Sequence, residues 1–149
     1  AYAICRAVAR IALGLLELPP APETAPRKLA DEPVAAAEMK RIAGTFLLKA
    51  GKLPSNLHDS YAQFQRTYRV FDENGRLMIQ PLGQGAERLL RQQDGTFTMR
   101  SSPRSRISFV MEGGRAVGMK MDSPGGLPLA GSRVGDSDPA TFHRQLLKD

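Results

Sequence analysis

Between positions 106 and 122 the chain alternates apolar and polar residues through two runs, RISFVME and AVGMKMD, separated by Gly113-Gly114. Successive side chains of a strand point to opposite faces, so Ile107, Phe109 and Met111 share one face of the first run. Val117, Met119 and Met121 share one face of the second. A two-residue glycine turn joins such strands antiparallel. The same pattern recurs upstream, with short runs at 45–49, 63–71, 76–80, 87–91 and 96–100 separated by turn signals such as Asp72-Glu73-Asn74-Gly75. A last strand is predicted around Leu127 and Leu129, after Pro124-Gly125-Gly126. About eight short strands joined without intervening helices make an antiparallel meander. Such a meander removes its exposed edges by closing on itself. The predicted fold is therefore mainly β, an antiparallel up-and-down barrel; a two-sheet sandwich is the alternative.

The side chains expected inside are Phe46, Met78, Phe97, Met99, Phe109, Met111, Met119 and Met121. Methionine fills irregular space and also suits an apolar ligand, and small barrels exist with either kind of interior. A side-chain-filled interior is the preferred expectation.

Three segments precede the barrel. In 1–18, Ile4, Val8, Ile11 and Leu15 line one helical face. A bilayer span needs roughly 20 uninterrupted apolar residues. Arg6 and Arg10 interrupt this run, so a packed helix is expected and no membrane span. Residues 19–33 contain Pro19, Pro20, Pro22, Pro26 and Pro33, and proline removes a backbone donor and fixes φ, so an extended linker is expected. The barrel unit is placed at 34–149. It opens with a short helix capped by Asp31 or Glu32, with Pro33 in its first turn and Gly44 past its end. It closes with a helix started by Asp138 and Pro139. The chain begins inside the first helical pattern, which leads us to expect a piece of a longer polypeptide.

The residue chemistry is sparse. One cysteine, Cys5, excludes a disulfide framework within the chain, and two histidines, His58 and His143, leave little for a metal site. No cofactor is expected. His58-Asp59-Ser60 has the residue types of a hydrolytic triad, but three adjacent residues cannot act in series as nucleophile, base and orienter. Asp72-Glu73-Asn74-Gly75 resembles the start of a calcium loop, yet the twelfth position is Gly83, where an acidic ligand is needed. The net charge of +6 is spread along the chain. Arg88, Arg91, Arg100, Arg104 and Arg106 have only Phe97 among them for base stacking, so a solvated exterior is expected and not a nucleic-acid surface. The S-x-x-K, Y-x-N and K-T-G signatures of active-site-serine hydrolases are absent from the sequence, and no catalytic residue is assigned.

The order of elements resembles a known arrangement. A short helix leads into Ile42-Ala43-Gly44-Thr45-Phe46, then a strand, then Glu73-Asn74-Gly75-Arg76-Leu77 with Gln80. Thr96-Phe97, Phe109-Val110 and a glycine turn follow. This resembles the lipocalin-like C-terminal domain of serine hydrolases of the β-lactamase and D-aminopeptidase type. Ile42 stands where that family usually has Tyr. The resemblance implies that 1–18 is the last helix of an upstream catalytic domain, which would be the partner in cis. It also implies that the reactive machinery lies before Ala1 and that the parent enzyme is periplasmic or secreted. The expected role is a non-catalytic accessory domain that packs on or oligomerises the catalytic domain. The alternative is a stand-alone carrier of a small apolar ligand.

Overall fold

The computed structural model describes residues 28–51 and 65–144. The predicted helix 1–18, most of the 19–33 linker, Cys5 and His58-Asp59-Ser60 lie outside the described residues. Helix α1, Ala36–Ile42, leads into eight strands: β1 Gly44–Ala50, β2 Gln65–Glu73, β3 Arg76–Pro81, β4 Glu87–Arg91, β5 Phe97–Met99, β6 Arg106–Glu112, β7 Arg115–Asp122 and β8 Leu129–Gly135. Helix α2, Pro139–Arg144, follows. Each strand pairs antiparallel with its sequence neighbours, and β8 returns to β1, so the sheet is a closed up-and-down barrel. Closure leaves no strand at an open edge, which is what a meander of one-sided strands requires, although β5 meets β6 through the single pair Phe97↔Ile107. The architecture is lipocalin-like and mainly β, as predicted.

The inner face is built by the period-two rule. Phe46 and Leu48 from β1, Tyr68 and Val70 from β2, and Leu77 and Ile79 from β3 belong to one buried apolar cluster. Leu89, Phe97, Met99, Ile107, Met119, Met121 and Leu129 complete it around the barrel. Phe109 packs between Phe46 and Phe97, with ring centroids 5.7 Å away on either side. Its tilted and edge-on contacts suit the quadrupoles of the rings.

Three expected inward positions differ. Met78 is only half-buried, because Leu77 and Ile79 take the inner face of β3. In an unbroken Leu-Met-Ile run the sequence does not choose the phase. Val117 is half-buried while Ala116 is fully buried and joins the core cluster. A register shift between Val110 and Met111 pairs Met111 with Ala116, so one extra residue of β7 resets its alternation. Met111, beside the same bulge, is 46% exposed rather than interior.

Helix α1 starts later than its cap signals suggest. Its N-cap is Ala35, with no side-chain capping bond. Asp31 instead pairs with Arg88 at 2.9 Å, and the Glu32 N–H donates to the Arg91 carbonyl. The residue before a proline is held extended, so Glu32 before Pro33 forms a bridge with β4 instead of opening a helix. Gln92, almost fully buried, reinforces this strap: its Nε2 donates to the Ala30 carbonyl and its Oε1 accepts from the Ala30 N–H. Met39 and Ile42 of α1 are buried against the core cluster.

The β2–β3 turn has Asn74 at φ 53° and Gly75 at φ 76°, and the Gly75 N–H donates to Asp72 Oδ1 at 2.8 Å. Nothing crowds Gly75, so its demand is purely conformational. Gly75→Ala should cost about 1 kcal/mol. Urea denaturation would report it as a lower midpoint at unchanged slope. Gly85→Ala, at negative or extended φ with open space around it, should leave the midpoint unmoved.

Candidate binding groove at the closed end of the barrel

One end of the barrel collects the tight turns at 74–75 and 113–114, the start of β1 and the end of β8, with α1 packed against β2 and β7. Arg133 braces this end. Its side chain is 13% exposed, and it donates through Nη2 to Asp136 Oδ1 at 3.2 Å and through Nη1 to the Ala116 carbonyl at 3.4 Å. Arg115 donates to the same Asp136 oxygen at 2.5 Å. Burial lowers the Arg133 pKa from its ordinary value, the bond to Asp136 opposes that, and Arg115 adds repulsion. The Arg133 Nε is buried without a hydrogen-bond partner. Its guanidinium lies over Gly44, where a Cβ would come 2.7 Å from Arg133 Cζ. Thr45 Oγ1 donates to the Asp136 carbonyl at 2.7 Å and fixes the start of β1 to the residue after β8.

Arg69 performs a similar task on the outer side. Its Nε donates to the Ser137 carbonyl at 2.5 Å, and its guanidinium carbon lies 3.8 Å from the centroid of the Phe71 ring. Partial burial lowers its pKa, opposed by the charges of Asp138 and Glu73. A planar fork can stack on the ring and reach the carbonyl at once, whereas an ammonium cannot. Arg69→Lys should therefore cost about 1 kcal/mol, measured as a fall in stability by chemical denaturation.

Beside α1 the closed end opens into a groove of about 530 Å³. Its apolar wall is Ile42, Phe97, Phe109 and Met111. It stays open because Ala35 and Ala37 on the helix side and Gly95 on the turn side supply no bulk. Glu38 and Arg41 stand at its rim. Glu38 is engaged by Arg91 at 2.7 Å, whereas Arg41 enters no ion pair among the described residues. A second concavity, near 700 Å³, lies along the strap; of its three acids, Asp31 pairs with Arg88 and Asp94 with Arg106.

The sequence-predicted interior residues thus fall in three settings. Phe46, Phe97, Met99, Met119 and Met121 are buried in the barrel. Phe97 also lines the groove, together with Phe109 and Met111, and Met78 is only half-buried, outside the core cluster. The groove itself was missed from sequence. Its parts come from α1, the β4–β5 turn, β5 and β6, and the local hint is the unusual run of alanines at 35–37. Among the described residues no three His, Cys, Asp or Glu side chains gather to hold a metal ion, and no helix is long and apolar enough to cross a membrane. Compared with family models, curated proteins and solved structures, the chain matches none.

Proposed function

We propose that this barrel is the non-catalytic accessory domain of a serine hydrolase of the β-lactamase type, packing on the catalytic domain that precedes it. The observation that carries the reading is how the barrel uses its sheltered polar groups. Arg133, Arg69, Thr45 and Gln92 are committed to bonds that close the barrel and strap the preceding segment onto it. The buried cluster they enclose is apolar. Val110 and Val134, more than 40% exposed, project outward from β6 and β8 and offer apolar area to a neighbouring domain.

Two measurements test this. Purified chain should give no turnover of nitrocefin or of a p-nitrophenyl ester, and turnover that scales with protein and survives purification would overturn the non-catalytic role. The reading frame upstream of Ala1 should encode a domain with S-x-x-K. A stop codon closing that frame within a few residues would remove the catalytic partner.

A further inference from the structure

We propose that the groove between α1 and β6 binds a small amphiphile with one anionic end, a medium-chain or aryl carboxylate. This goes beyond the accessory-domain reading, since the described residues that line the groove all belong to the barrel unit. The volume, about 530 Å³, falls within the roughly 300–1,000 Å³ usual for small-molecule sites. Such sites pair a mostly apolar lining with a few placed polar groups. Here Glu38 and Arg41 supply the polar part of the lining, and the apolar wall is Ile42, Phe97, Phe109 and Met111. Two of these are rings held by edge contacts with each other, and one is an exposed, adaptable thioether.

The charge at the rim selects the head group. Glu38 is neutralised by Arg91, whose Nη1 lies 2.7 Å from its carboxylate. On the turn side, Asp94 is bonded by Thr96 and paired with Arg106 at 3.4 Å. Arg41 is the rim cation whose fork has no anion among the described residues. It projects from the last turn of α1, on the same helix as Ile42 in the apolar wall. A carboxylate accepting from Arg41 would place its tail along Phe97, Phe109 and Met111. An uncharged amphiphile would gain the apolar contact and lose the charge-assisted bond.

The test uses the whole chain and displacement of 1-anilinonaphthalene-8-sulfonate fluorescence by decanoate and by 1-decanol. Decanoate should displace the dye saturably and at lower concentration than decanol. Arg41→Gln, at an exposed position, should weaken decanoate by about tenfold and leave decanol unchanged. Met111→Glu, also exposed, should weaken both. Absence of saturable displacement overturns the proposal, as does binding indifferent to both substitutions, which would place the ligand elsewhere. Binding sensitive to Met111→Glu but not to Arg41→Gln would remove the anionic head group and with it the proposed ligand class. The hydrolase assay above is independent of each of these outcomes.

Discussion

Gly131→Ala should cost about 4 kcal/mol or more, enough to leave a domain of ordinary stability largely unfolded. The position lies on β8 opposite Leu48 of β1 and Met119 of β7. An added Cβ would overlap the Leu47 carbonyl oxygen and come 2.7 Å from the Leu47 carbonyl carbon and 2.8 Å from Leu48 Cα. All three are backbone atoms, so no rotamer change makes room. β1 cannot retreat, because its other edge is paired with β2 through Leu47↔Thr67 and Leu48↔Arg66. Nor does β8 have slack on its far side, where a Cβ on Gly118 would sit 2.9 Å from the Gly131 carbonyl oxygen. The methyl group therefore acts on the β1–β8 seam, the pairing that turns an open meander into a barrel. Near-ultraviolet circular dichroism through a thermal melt is the measurement, with Gly85→Ala as the neutral control. A soluble Gly131→Ala protein melting within a few degrees of the parent would mean that β1 and β8 do not approach this closely.

The closure of the barrel was legible because it depends on a repeated local signal. Each hairpin carries its own period and its own turn residues, as 106–122 shows most plainly. What escaped the sequence depends on single-residue offsets or on distant partners. The bulge at Val110 and Met111 inserts one residue, and that is enough to exchange Val117 for Ala116 on the inner face. The Leu77-Met78-Ile79 run is apolar throughout, so its phase is decided by the neighbouring strands and not by its own pattern. β8 runs on to Gly135 through Gly131, Ser132 and Arg133, residues with little strand character of their own. They are extended because β1 and β7 supply partners on both edges. The groove is harder still to foresee. Its walls are separated by more than fifty positions, and its space comes from alanine and glycine side chains that fill nothing.

The brace at the closed end makes a second prediction with a large effect, and its form identifies the contact responsible. Gly44→Ala should cost about 1–2 kcal/mol in the parent. Gly44 is buried at the start of β1, and a Cβ added there would lie 2.7 Å from Arg133 Cζ and 2.8 Å from Nη1. The obstacle is the end of a flexible side chain, so the strand survives and the guanidinium must move. Moving it breaks the bonds to Asp136 and the Ala116 carbonyl and leaves Arg115 alone on Asp136. When Arg133→Ala empties that space first, Gly44→Ala should cost almost nothing. A double-mutant cycle by chemical denaturation should then give a coupling energy of about 1–2 kcal/mol between positions 44 and 133. Additive effects would place the Arg133 side chain away from Gly44 and dissolve the brace. A penalty for Gly44→Ala that persists in the Arg133→Ala background would point to the backbone of β1 itself. The coupling matters for function because the same end of the barrel carries α1. Since Ile42 lies two residues before Gly44, a displaced Arg133 should also lower the affinity of the groove for decanoate.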